Sequence, residues 1–209
     1  DVIALSGDSS VLSADALTAH VRNICGVLRI PLLVDADTGF GGPLQVYRTG
    51  ARLEDAGAAA VQIEDQVSAK RCGLLQGDHP LIPTTEMTDK VQAATAAKKN
   101  PDTVIIARTL AYSSEGLDEA IQRGLAYREA GADAIFVQVP GSLDELRTIR
   151  NSIPDVLVVN MDEALPAASL DIRTITAEGY KLALFPGTIR YTLVKAIGDT
   201  LSILRSEGT

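Results

Sequence analysis

The feature that most restricts this chain is an alternation. From residue 32 onward, short apolar runs of strand length give way six times to a loop and then to a stretch of helical periodicity. Two of the junctions are nearly the same words: E-D-A-G-A-A-A-V-Q-I-E at residues 54–64 and R-E-A-G-A-D-A-I-F-V-Q at residues 128–138. Each places a glycine, Gly57 or Gly131, where a helix stops just before the next strand. Repeated units of this kind build a parallel sheet covered by helices, either open or closed into a barrel. The 209 residues suit one large domain, and 46% hydrophobic content supplies a sizeable core.

Local signals place the elements. A first helix is expected over residues 14–28, with Ser13 as N-cap, Leu17, Val21, Ile24 and Leu28 on one face, and Cys25 as a small buried thiol. Pro43 opens a helix over residues 43–56. Strands are expected over residues 60–64, 103–108, 134–139, 156–160 and 181–185. Helices are expected over 86–98, capped by Thr84 or Thr85, then 117–130, 174–178 and 189–204, and Ser142 with Glu145 forms a capping box for another. Residues 66–83 show no periodicity, and a loop of that length in a compact domain is more often functional than not. His79 within it reads as a solvated loop residue, and His20 as part of a surface helix.

The stretch P-L-L-V-D-A-D-T-G-F-G-G, residues 31–42, starts as a buried strand and ends in a glycine-rich turn. On a strand, Asp35 and Asp37 share a face, and two like charges held together favour a cation between them. Oxygen donors select a hard ion such as Mg²⁺. The other strands end on Glu64, Arg108, Gln138 and Asn160, with Pro186-Gly187-Thr188 after the last. In a barrel such strand ends form the active-site face.

A net charge of −8, with no clustering of Lys and Arg, argues against nucleic acid as a partner. No apolar run is long enough to span a bilayer. The opening Asp1-Val2-Ile3 reads as interior sequence without a targeting segment, and Cys25 and Cys72 read as reduced thiols of a cytoplasmic protein.

Five motifs in order resemble the isocitrate lyase / phosphoenolpyruvate mutase superfamily through nearly the whole chain. They are V-D-A-D-T-G-F-G at residues 34–41, I-E-D-Q at 63–66, K-R-C-G at 70–73, A-R-T at 107–109 and E-G-L-D-E-A-I at 115–121. K-R-C-G is similar to the branch of 2-methylisocitrate lyases and oxaloacetate hydrolases. The resemblance implies an α/β fold, a (β/α)8 TIM-type barrel whose first two strands would precede Asp1, and a helix exchanged between subunits of a homodimer or homotetramer. It implies Mg²⁺ (or Mn²⁺) held by Asp35, Asp37 and Glu64, with Asp1 matching a further acid. Lys70, Arg71, Cys72 and Gly73 would lie on a mobile gating loop, with Cys72 as general acid/base. Arg108 would clamp a substrate carboxylate and Asn160 would bind the far one, with Asp37, Gly73, Gln138 and Thr188 also at the substrate.

The implied activity is carbon–carbon cleavage of a small 2-hydroxy or 2-oxo di- or tricarboxylate through an enolate. Alternatives are a phosphoenolpyruvate mutase or oxaloacetate-cleaving relative, or a non-catalytic carboxylate-binding homologue. The residue types agree with cleavage: a thiol next to Lys70 and Arg71 can have a lowered pKa and exchange protons near neutrality, and Arg108 offers a bidentate fork. Leu74, Leu110 and Gln138 depart from the family's lyases, which carry His, Asp and Glu there, and this points to a shifted substrate.

Overall fold

The computed structural model describes residues 12–70, 72, 79–138, 142–162 and 170–208. Among these, six strands form one parallel sheet in chain order: β1 (Leu33–Asp35), β2 (Ala60–Glu64), β3 (Val104–Thr109), β4 (Ala134–Val137), β5 (Val156–Asn160) and β6 (Leu182–Leu184). Each crossover carries at least one helix, the βα repeat expected of the barrel class. β1 and β6 pair on one side only among the described residues, so β1–β6 form a consecutive arc of such a barrel.

The helices are α1 (Ala14–Cys25), α2 (Pro43–Asp55), α3 (Thr84–Ala96), α4 (Ala111–Glu115), α5 (Leu117–Glu129), α6 (Leu143–Ser152), α7 (Ile172–Ala177) and α8 (Thr188–Glu207). Ser13 caps α1 through Ala16 N, and the Ser142–Glu145 capping box opens α6. Gly57 and Gly131 follow α2 and α5 with φ of 105° and 106°, conformations that a side chain would strain. Four local expectations fail. α1 stops at Cys25, because Gly26 caps it and Val27 lies in solvent, 81% exposed. Neither Thr84 nor Thr85 caps α3; Pro83 takes that position without a side-chain bond. α4 was not foreseen, and α7 begins at Ile172, capped by Asp171.

The sheet has two chemically different faces. Val34, Val61, Ile63, Ile105, Ala107 and Ile135 pack with Val46, Leu53, Met87, Val91 and Ile121 of the helices in the main core. The alternate residues point the other way, and Ile106, Ala134, Phe136 and Val158 form a second cluster with Leu33, Ala60, Val104 and Leu182. This inner face is apolar at the N-terminal ends of the strands, where it lines a hollow of about 470 Å³. It turns polar toward the C-terminal ends. Register places Asp35 opposite Gln62, and Glu64 opposite Arg108, which lies opposite Phe136.

Acids at the N-terminal ends tie loops to the sheet. Glu54 of α2 accepts hydrogen bonds from Lys99 N, Asn100 N and Thr103 Oγ1, at 2.9, 2.8 and 2.7 Å. Partial burial works against its charge, but these donors and the Lys99 ammonium outweigh it and hold the Glu54 pKa below the ordinary 4.5. A carboxyl with a depressed folded pKa adds stability above its unfolded pKa and loses it as pH falls through the folded value. Glu54→Gln is therefore expected to melt below wild type at pH 7, with the gap narrowing as pH falls below 4.5. Thermal melts across that range check it; a gap independent of pH would show that the charge plays no part.

Candidate active site

The polar end of the inner face assembles around Glu64. This carboxylate ends β2 and is fully buried, so its charge needs partners. Two cations supply them. Arg108 Nη1 lies 3.4 Å from Glu64 Oε2, and Lys70 Nζ lies 3.9 Å from the same oxygen. Arg108 also faces Asp35 Oδ2 at 3.7 Å, and its guanidinium sits 5.1 Å from the Phe136 ring centroid. Lys70, 5% exposed, pairs with Asp37 Oδ1 at 2.8 Å. Burial pushes the Glu64 pKa up to about 7, with Arg108 and Lys70 pulling against it. Burial works against the Lys70 charge as well, but Glu64, Asp35 and Asp37 outweigh it and raise the ammonium above its ordinary pKa.

Asp35 and Asp37 meet by a route other than a shared strand face. β1 ends at Asp35, and Asp37 turns into the left-handed region at φ 52°. Asp37 N donates to Asp35 Oδ1 at 3.0 Å, and Glu64 N donates to the Asp37 carbonyl at 2.8 Å. The short polar side chain of Asp tolerates this conformation. Gly39, at φ 85°, completes the turn under Val46, whose Cγ2 would stand 2.5 Å from an added Cβ. Lys90 of α3 reaches the turn from below, donating to the Thr38 carbonyl at 3.2 Å.

Segment 66–83 returns to the sheet. Gln66 bridges Leu81 in antiparallel fashion, Val67 N donates to Pro80 O at 2.8 Å, and Ile82 N donates to Asp65 O at 2.9 Å. Cys72, a half-buried thiol outside any disulfide, belongs to this segment. Arg71, Gly73 and Leu74 lie outside the described residues, as does Asp1. His79 is 4% exposed rather than solvated, because the antiparallel bridge of Gln66 with Leu81 brings its Nδ1 to 3.3 Å from Gln66 Oε1.

The remaining expected residues occupy the same end of the sheet. Gln138 follows β4 and is 1% exposed, with neither amide atom hydrogen bonded. Asn160 ends β5, where its Oδ1 accepts from Asp162 N at 3.1 Å. Thr188 is the first residue of α8. Leu110 is fully buried, its amide donating to Asp65 Oδ1 at 3.0 Å. Asp65 also accepts from Tyr127 OH at 2.8 Å and faces Arg123 Nη1 at 3.5 Å, joining β2, β3 and α5 beneath the site.

Sequence reading missed Asp65, Gln66, His79 and Asp162 as site components, and Arg190, whose charge is supported first by Tyr191 and then by Asp162 and the Cys72 thiol. The I-E-D-Q motif contained a signal for the first two, since polar residues directly after a buried strand need partners.

Among the described residues, no three acids, thiols or imidazoles surround a common point closely enough to hold an ion as they stand. Asp35, Asp37 and Glu64 are linked instead through Lys70 and Arg108. Their donor chemistry nevertheless fits a hard divalent cation, because all donors are oxygens and the buried Glu64 Oε2 accepts no hydrogen bond.

The family model described as phosphoenolpyruvate phosphomutase matches residues 6–202. The chain is 38% identical to 2,3-dimethylmalate lyase of Eubacterium barkeri, over 97% of this chain and 70% of that protein. It is 40% identical to 2-methylisocitrate lyase of Aeropyrum pernix, over 97% of this chain and 65% of that protein. The chain thus spans about two thirds of the length of these relatives. A crystal structure of 2,3-dimethylmalate lyase, a PEP mutase/isocitrate lyase superfamily member, superposes with a TM-score of 0.91 at 31% identity, covering 97% of this chain and 68% of that one. A phosphonopyruvate hydrolase complexed with oxalate and Mg²⁺ superposes with a TM-score of 0.85 at 30% identity, covering 99% and 72%. By this match over residues 6–202 and these relatives, the chain belongs to the phosphoenolpyruvate phosphomutase family.

Proposed function

We propose that this chain carries the catalytic centre of a carbon–carbon lyase acting on a small 2-hydroxy or 2-oxo di- or tricarboxylate. The observation that carries the reading is the buried Glu64 held between Arg108 and Lys70 at the C-terminal ends of parallel strands, with the Cys72 thiol on the adjoining segment. Lyase relatives at 38% and 40% identity support it.

Asp35, Asp37 and Glu64 would hold Mg²⁺ or Mn²⁺. When bound, the ion supplies positive charge where negative charge develops on the substrate oxygen. Arg108, whose buried Nε lacks a hydrogen-bond partner, binds and orients a substrate carboxylate. In the cleavage step the carbon–carbon bond breaks and its electron pair stays on the departing fragment, which leaves as an enolate. For a 2-hydroxy acid the other fragment becomes a carbonyl as its hydroxyl proton is lost to a base; a 2-oxo acid first adds water at its ketone, and the resulting diol loses a hydroxyl proton to the base and leaves as a carboxylic acid. Cys72 then delivers its proton to the enolate carbon, and Lys70 and Arg71 favour the resulting thiolate. Gln138, Asn160, Gly73 and Thr188 complete the substrate's surroundings, and residues 1–209 belong to one catalytic domain.

A second reading concerns substrate choice. Gln138 is buried and neutral with an unpartnered amide, and Leu110 is apolar, which favours an acid smaller than, or charged differently from, 2-methylisocitrate, such as oxaloacetate.

No described helix is long and apolar enough to cross a membrane. Cys25 and Cys72, neither in a disulfide, fit a cytoplasmic location. α8 has no buried residue and exposes Ile189, Leu193, Val194, Ile197 and Leu201, which supports a homodimer or homotetramer in which a second copy covers this helix.

Three outcomes are expected. Millimolar Mg²⁺ or Mn²⁺ raises the melting temperature, and Asp37→Ala removes the rise; a wild-type melting curve indifferent to metal excludes the acid cluster as its site. Cys72→Ser binds substrate but loses turnover by roughly 10²–10⁴-fold, measured as pyruvate, succinate, oxalate or glyoxylate release with and without Mg²⁺. Near-normal turnover removes Cys72 from the mechanism. Wild type is weak on 2-methylisocitrate, and Gln138→Glu gains roughly ten- to a hundredfold in kcat/KM. An efficient wild type that gains nothing contradicts the role given to Gln138.

A further inference from the structure

The two oxygens of Glu64 have different surroundings. Oε1 accepts a hydrogen bond from Gln66 Nε2 at 2.7 Å. Oε2 accepts none and faces Arg108 and Lys70 at 3.4 and 3.9 Å. Behind Gln66 stands His79, its Nδ1 3.3 Å from Gln66 Oε1. The three side chains are buried in series, with Glu64, Gln66 and His79 exposed by 0%, 1% and 4%.

Elementary donor and acceptor rules give this series a direction. An ionised carboxylate oxygen only accepts, so the amide nitrogen of Gln66 must face Glu64. That turns the amide oxygen toward His79, and an amide oxygen also only accepts. Nδ1 of His79 must then carry the proton. We infer that His79 and Gln66 are positioning residues: a directed relay, His79 Nδ1–H to Gln66 to Glu64 Oε1, holds the carboxylate so that Oε2 alone is presented to the site. Gln66 and His79 lie at opposite ends of segment 66–79, so the relay also ties the return of that segment to the orientation of a strand-end acid.

The geometry explains why an amide occupies position 66. A carboxylate there would repel Glu64, and an apolar side chain would leave Oε1 buried without a donor. Gln is the residue type that passes a hydrogen bond from a donor on one side to an acceptor on the other. The relay concerns residues of this chain only, but its effect on metal binding rests on Glu64 being a ligand as proposed above.

Two measurements test it separately. ¹⁵N NMR of the metal-free full-length protein at pH 8 reads the His79 ring directly. A protonated Nδ1 is expected, with loss of that preference in Gln66→Leu; an unprotonated Nδ1 in wild type overturns the relay whatever the metal does. Mn²⁺ affinity is then read by calorimetry, with thermal melts of the metal-free variants as the folding control. Gln66→Leu and His79→Leu are expected to weaken Mn²⁺ binding by roughly ten- to a hundredfold. His79→Asn, which places an amide donor near the Nδ1 position, is expected to restore most of it. Equal weakening by His79→Asn and His79→Leu would mean that His79 merely fills space, and would overturn its positioning role. If wild type takes up no Mn²⁺ while Nδ1 is protonated, the metal reading of Glu64 fails and the relay stands as an orienter of the carboxylate.

Discussion

A single buried carboxylate organises this end of the molecule. Glu64 sits on an interior strand with no water to solvate it, and an unpaired charge in such a place destabilises a fold by several kcal/mol. Its neighbours answer that demand. Arg108 comes from the next strand at the same register position, Lys70 from the segment that follows β2, and Gln66 from two residues on. The acid thereby recruits the cations and donors that a carboxylate-cleaving site also needs, so stabilising the fold and assembling the site are largely one problem. Its pKa of about 7 shows that the cations do not fully offset burial, which suits a position that would accept further positive charge.

Parallel strands make the division of labour possible. Every strand runs the same way, so the inner face presents apolar residues at one end and polar ones at the other. At the N-terminal end the acids are structural. Glu54 ties the loop before β3, and Asp133 accepts from Ile105 N at 2.7 Å while pairing with Lys98. At the C-terminal end the acids face cations and one another. Asp65 stands between the two roles: it touches nothing proposed to react, yet through Leu110, Tyr127 and Arg123 it holds the ends of β2 and β3 in place.

The departures from the family's lyases acquire physical content from this arrangement. Leu110 belongs to the core, and its backbone amide, rather than its side chain, serves the network through Asp65. Gln138 keeps hydrogen-bonding capacity in a buried position but brings no charge, so it can answer either a donor or an acceptor on a ligand. Both changes leave the Glu64–Arg108–Lys70 cluster intact.

Much of this was legible in the residues themselves. Periodicity and glycine stops delivered the alternation, and the Ser142–Glu145 box and Pro43 marked helix starts, because each signal is local. The strand-end positions of Asp35, Glu64, Arg108 and Asn160 followed from the same patterns. Other features depended on contacts between distant segments. Asp35 and Asp37 meet through a left-handed turn supported by Glu64 N, whereas strand spacing alone suggested a common face. His79 looked like a solvated residue because nothing local requires its burial; the pairing of Gln66 with Leu81 places it against an amide. The sequence by itself determined which chemical groups arrive at the ends of which strands. Tertiary structure alone decided which of them face each other, because hydrogen-bond direction and charge pairing depend on distances that no spacing along the chain encodes.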